Sequence, residues 1–325
     1  MKNKNAKIQI LRALCIIAVV IVHTSPYGLI QVFIRPFLNF AVPTFLFLSG
    51  YLTDLSKIKK KDFYKKRILR ILIPYILWSI PYTTINSASR GLSLSRYIVN
   101  ILTTFSSPIL YYVFVYIQLV LLTPLLGKLL KKKYWYLVFI ISPLALLPFY
   151  YWTFHDITPN KYLNTIWLVG CFRWVIFYYL GLYLKNRTPK KNYDLKKLIS
   201  LYLFTIIIQM LEGYIWLQHI VERAGTHAKL SAMLTSAVFI LIAYQYINTE
   251  KWKGKNKFLV TIGNFSFGIY LSHYLLINIF SKFLPFWDKI PFGVNSLIIF
   301  ILSLSIVMLG KRIFGEKISR YLGFY

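Results

Sequence analysis

Arg12 and His23 stand inside a run, residues 8–28, that is otherwise almost wholly apolar. Their types suggest a division of labour. A guanidinium is permanently charged and grips carboxylates or phosphates through paired N–H donors, whereas an imidazole takes and gives a proton near neutral pH. Eleven residues at about 100° each make three helical turns plus about 20°, with a rise of about 16 Å. Both side chains therefore share one helix face. A run of this length spans a bilayer, where an ionisable group costs several kcal/mol unless protein or water solvates it. The pair predicts a polar stripe facing protein or water, with Arg12 near one membrane surface and His23 past the middle.

Further ionisable residues sit at or inside later apolar runs. In Lys66-Arg67-Ile68-Leu69-Arg70, two guanidiniums fall on nearly one face at the start of the third run. That pattern suits an orientation signal touching anionic headgroups, and equally a site for a phosphorylated ligand. Arg173, Glu212 and His273 lie within the sixth, seventh and ninth runs, Arg173 near the membrane middle. Arg173 and Glu212 either pair for structure or serve the site. His273 is either a neutral core histidine or a working one. His155, His219 and His227 fall between runs, and no set of residues has metal-ligand spacing, so no metal is expected. Cys15 and Cys171 lie in apolar runs and imply packing rather than a disulfide framework.

Composition dictates what must hold these groups. The 325 residues are 57% hydrophobic and only 15% charged, which excludes an ordinary soluble domain. Ten spans can be placed, at about 8–28, 33–54, 70–86, 108–128, 134–153, 165–184, 197–216, 229–248, 258–280 and 293–310. Of the 39 basic residues, 30 then fall on the side of the N-terminus and eight on the other, with Arg173 inside a span. This asymmetry puts both termini in the cytoplasm. The net charge of +30 is scattered in short clusters between apolar runs and not gathered on one face, which argues against nucleic acid as a partner. Residues 87–107 are too polar to span and predict a short surface or re-entrant helix. No linker divides the chain, so residues 1–325 form one all-α, polytopic membrane domain. Arg12 interrupts the first run, and no small-residue cleavage pattern follows it, so a retained span is expected rather than a signal peptide. No internal repeat is evident, which weakens a transporter built from inverted halves.

The Arg12–His23 spacing resembles the signature of the acyltransferase 3 family of bacterial integral membrane O-acyltransferases. Three further stretches, in order, are similar to that family: Val42-Pro43-Thr44-Phe45-Leu46-Phe47-Leu48-Ser49-Gly50-Tyr51-Leu52, Lys66-Arg67-Ile68-Leu69-Arg70-Ile71-Leu72-Ile73-Pro74-Tyr75, and Gly263-Asn264-Phe265-Ser266-Phe267-Gly268-Ile269-Tyr270-Leu271-Ser272-His273. The resemblance covers nearly the whole chain and looks like the stand-alone form, without an attached esterase-like domain. It implies transfer of an acyl group, usually acetyl, from cytoplasmic acyl-CoA to a hydroxyl of a glycan or other envelope molecule, in the bacterial cytoplasmic membrane. It implies that His23 is catalytic, that Arg12 engages the donor, and that Arg67 and Arg70 assist.

The residue geometry accommodates that chemistry. Guanidiniums at Arg12, Arg67 and Arg70 would hold the donor phosphates at the cytoplasmic mouth. The rise of about 16 Å matches the reach of an extended pantetheine arm, which would deliver the thioester to His23 as general base. Glu212 would orient a histidine, Arg173 or a tyrosine would face the developing oxyanion, and His273 would support the site. The competing reading is an exporter or flippase of a polysaccharide or lipid-linked saccharide, its aromatic residues stacking on sugars. Interface anchoring is the commoner use of such residues.

Overall fold

The computed structural model describes residues 2–58, 62–87, 93–187, 194–249 and 256–325. The middles of three of the basic segments, and Arg90, lie outside the described residues. Apolar runs of bilayer length become helices because a buried backbone must satisfy its own N–H and C=O groups. The described chain is accordingly helical with no strands. Its helices are α1 (Lys2–Thr24), α2 (Leu29–Ile34), α3 (Ala41–Tyr51), α4 (Asp62–Ser87), α5 (Leu94–Leu102), α6 (Tyr111–Leu129) and α7 (Val138–Leu144). They continue with α8 (Leu147–Phe154), α9 (Lys161–Val169), α10 (Val175–Asn186), α11 (Leu195–Leu217), α12 (Leu230–Asn248), α13 (Lys257–Phe283) and α14 (Phe292–Leu322).

Nine segments of the described residues are long and apolar enough to cross a membrane, and the protein is an all-α polytopic membrane protein. The expected span 165–184 is not one unbroken helix. It divides into α9 and α10 around Gly170–Trp174, where Gly170 takes an extended conformation and ends α9. Both ends of the chain nevertheless lie at the same end of the bundle. Lys7 bonds the carbonyls of Tyr246 and Thr249 at the end of α12, and Tyr325 lies against Arg70 near the start of α4. Two ends on one side require an even number of crossings, so the broken α9–α10 segment supplies the tenth. The expected short helix within 87–107 is α5.

Helix starts are fixed locally. Asp194 accepts from Lys196 N at 3.0 Å to begin α11, and Asn256 accepts from Leu259 N at 3.0 Å to begin α13. Pro43 falls in the first turn of α3, where its missing N–H costs nothing, whereas Pro74 and Pro81 lie inside α4.

Packing then sets the site. α1 lies chiefly along α13. Gly263 makes the approach possible, because a methyl group there would collide with the carbonyl of Gln9. Along α13, Gly263, Ser266, Tyr270 and His273 recur at three- and four-residue spacing, so one face of that helix meets the stripe of α1. At the far end, Thr24 Oγ1 and Ser296 Oγ are 2.6 Å apart and tie α1 to α14. Gly263→Val is expected to force α1 from α13 and cost about 1–3 kcal/mol, read as a lower unfolding temperature in detergent. An unchanged temperature would mean that α1 owes its position to other contacts.

Candidate active site

Four of the residues singled out from the sequence converge at or beside one cavity at the basic end. The cavity has a volume of about 430 Å³, and its lining includes Arg12, Arg67, Arg70, Lys66 and no acidic residue. Tyr112, Tyr116 and Tyr270 form aromatic walls, and Ser266 contributes a buried hydroxyl with no hydrogen-bond partner among the described residues. The helix that carries Arg67 and Arg70 presents them one turn apart. Arg67 Nη1 donates to Thr53 Oγ1 at 2.7 Å, which fixes the fork, and its plane lies 4.8 Å from the Phe63 ring. Arg70 is exposed and stacks 4.1 Å from the Tyr325 ring. Arg12 is half-buried and donates to Gln9 Oε1 at 3.3 Å. Lys66 is less committed to the cavity, since it pairs with Asp62 at 3.1 Å on the surface.

The cavity runs up α1 as far as Val19, one helical turn short of His23. His23 is exposed, and neither ring nitrogen bonds a described residue. Its ring lies 5.3 Å, centroid to centroid, from both His273 and Tyr274. His273 is fully buried, with Nδ1 2.8 Å from the Tyr270 carbonyl and 3.1 Å from that of Ile269. A carbonyl accepts only, so Nδ1 carries the proton and Nε2 keeps its lone pair. That Nε2 is buried and has no partner among the described residues. Two imidazoles and a phenol thus meet at the head of the stripe.

A protein-family model described as an acyltransferase domain matches residues 5–311. The chain belongs to the acyltransferase 3 family. No curated protein matches it, and no solved structure does. Membership makes the protein a membrane acyltransferase.

Two of the expected site residues of this acyltransferase lie elsewhere. Glu212 orients no histidine, and it does not pair with Arg173. Its carboxylate accepts from Tyr150 Oη and, at 3.2 Å, from Ser231 N, where it caps the positive N-terminal end of α12. Tyr150 Oη in turn accepts from Leu230 N at 2.8 Å. Glu212→Gln turns an amide N–H₂ toward one of these donors. It is expected to cost about 1–3 kcal/mol, measured by thermal unfolding; parental stability would show the cap to be dispensable. Arg173 sits in the break between α9 and α10, buried at 4% exposure among Trp167, Trp174 and Tyr111. Arg173 lies 5.6 Å from the ring of Tyr111, the first residue of α6.

Other contributors were hidden in the sequence. Arg35, near the start of the second run, and His227, between runs, lie within electrostatic reach of His23. Arg35 Nε donates to Ser25 Oγ at 2.9 Å, which holds the turn just after His23. Tyr325 reaches the cavity because α14 kinks at Gly315, φ 66°, a left-handed conformation that favours glycine. The returning segment places the indole N–H of Trp78 3.1 Å from the carbonyl of Leu322. Only Tyr270 had a legible signal, its spacing from His273. Among the described residues, no three His, Cys, Asp or Glu side chains cluster as metal ligands.

Proposed function

We propose that the protein is an O-acyltransferase, with acetyl the expected group, that takes the acyl group from cytoplasmic acyl-CoA. It places that group on a hydroxyl of an extracytoplasmic surface glycan or other envelope molecule in the bacterial cytoplasmic membrane. The observation that carries the reading is the cavity of about 430 Å³ with four cationic side chains, no acidic one and an inner end one turn from His23. An anionic nucleotide on a long thin arm matches that shape. Arg12, Arg67 and Arg70 receive the phosphates, and Arg suits phosphate because its fork binds two oxygens at once. Tyr112, Tyr116 and Tyr270 flank the arm, and the unpartnered hydroxyl of Ser266 answers one of its amides. The thioester then lies beside His23.

The transfer needs one proton moved twice. His23 takes the proton of the acceptor hydroxyl as the oxygen bonds the acyl carbon. The carbon–sulfur bond breaks, the thiolate leaves on the donor side, and His23 returns the proton to it. The His273 ring, 5.3 Å away centroid to centroid, packs beside this imidazole and limits how it can turn. Only the acyl group passes between the two membrane faces. A carrier of saccharides has no need of a cationic nucleotide cavity, which favours the enzyme.

The test is consumption of radiolabelled acetyl-CoA by the purified protein in liposomes, with envelope extract on the opposite side as acceptor. Label in the acceptor fraction with release of free CoA supports the reading. Movement of a saccharide with no consumption of acetyl-CoA would support the exporter instead.

A further inference from the structure

The break in the sixth crossing holds a charge that nothing in the described protein neutralises. Arg173 is 4% exposed, and the four ion pairs among the described residues all lie elsewhere. Glu212, a carboxylate within another span, is committed to α12. One guanidinium nitrogen, Nη2, donates to the Leu168 carbonyl at 3.2 Å, while Nε has no partner. Stacking 4.2 Å from Trp167 and 4.8 Å from Trp174 offsets part of the cost of an unpaired buried cation, and no more than part.

Two neighbours are unsatisfied as well. Trp174 Nε1 and His227 Nε2 are buried without partners, and the two rings are 4.8 Å apart. Buried polar atoms are nearly always bonded, so three unpartnered ones on touching side chains point to a missing ligand. Burial pushes His227 down to about 3, and the Arg173 and Arg35 charges push the same way, so it adds a neutral hydrogen-bonding group. Irregular backbone at membrane depth is tolerated where it lines a cavity, and α10 begins here with its positive end toward Arg173. His227 lies within electrostatic reach of both Arg173 and His23, which links this nest to the reacting ring.

We propose that Arg173, Trp174 and His227, walled by Tyr111 and Trp167, form a subsite for an anionic group, a carboxylate or phosphate, carried by the hydroxyl-bearing acceptor. The word acceptor rests on the acyl-transfer reading; the anion site does not. The donor enters from the basic end and the acid-bearing acceptor from the opposite end, with His23 between them.

Thermal unfolding of the full chain in nanodiscs tests the subsite directly. The probes are methyl β-D-glucuronide, glucose 6-phosphate and, as neutral control, methyl β-D-glucoside. The parent is expected to gain a few degrees with an anionic probe and nothing with the glucoside, and the more effective anion names the group. Arg173→Gln loses the gain while remaining at least as stable as the parent without ligand, because it removes an unpaired buried charge. Trp174→Phe keeps the ring and retains only part of the gain. A variant carrying Arg67→Gln and Arg70→Gln keeps all of it, since those residues line the other cavity. No anion-dependent gain, a gain kept by Arg173→Gln, or an Arg173→Gln several degrees less stable than the parent would each overturn the proposal. Acetyl-CoA consumption is read separately: its failure removes the donor assignment and leaves the anion result standing, and the reverse also holds.

Discussion

Acyl transfer is expected to fall 10²–10⁴-fold in His23→Ala, with donor binding unchanged. That range is what a positioned general base contributes, about 2.7–5.5 kcal/mol of transition-state stabilisation. The separation of effects follows from geometry. His23 lies one turn beyond the lining of the cationic cavity, so its loss leaves Arg12, Arg67 and Arg70 where they were. The ring is exposed and bonds no described residue, and Ala suits a helix, so the variant is expected to fold. Donor affinity by calorimetry and label transfer on the same preparation read the two halves apart. A variant that transfers at the parental rate would remove His23 from the chemistry. Weakened donor binding with transfer otherwise intact would make it a binding residue. His273→Phe, which keeps the ring volume and removes Nε2, is the companion variant. A loss smaller than that in His23→Ala marks a positioning role, and a shifted pH profile separates that role from simple packing.

Replacing Arg67 and Arg70 with glutamine is the second large effect, and it falls on donor binding instead. A hydrogen bond to a charged group contributes about 1.5–3 kcal/mol, or about 10–100-fold in affinity for each arginine. The two are not equivalent. Arg67 is half-buried and fixed by Thr53 at 2.7 Å, so the upper part of the range applies; Arg70 is exposed and screened by salt, so the lower part does. Acetyl-CoA Kd should therefore rise more in Arg67→Gln than in Arg70→Gln, with the maximal transfer rate little changed. Donor binding should also weaken as salt rises in the parent, and less steeply in the double variant. Equal affinity in parent and double variant would mean that the basic segment serves orientation and lipid contact alone, the other reading its sequence allows.

Much of this was legible in residue order. Arg12 and His23 advertise a shared face because a helix in lipid has a fixed repeat, and charge inside an apolar run has few bland explanations. His273 was legible as either a core histidine or a working one, and its place beside His23 needed the packing of α13 on α1 through Gly263. Glu212, a carboxylate near the end of a span, has a catalytic look in the sequence. Its bond to Ser231 N at the start of α12 is a contact between elements that no local pattern announces.

Local hydropathy, helical repeat and charge count specify the class, the basic end and the polar stripe. Helix packing decides which ionisable groups share a chamber. The tertiary structure broke the sixth crossing at Gly170–Trp174 and left Arg173 in an aromatic nest. It folded Tyr325 back onto Arg70, and it set the His227 ring 4.8 Å from that of Trp174. The physical reason is that each of these rests on helices packing across long separations, where close glycine contacts and kinks fix distances to within a side chain's reach. Spacing along one helix holds no record of them.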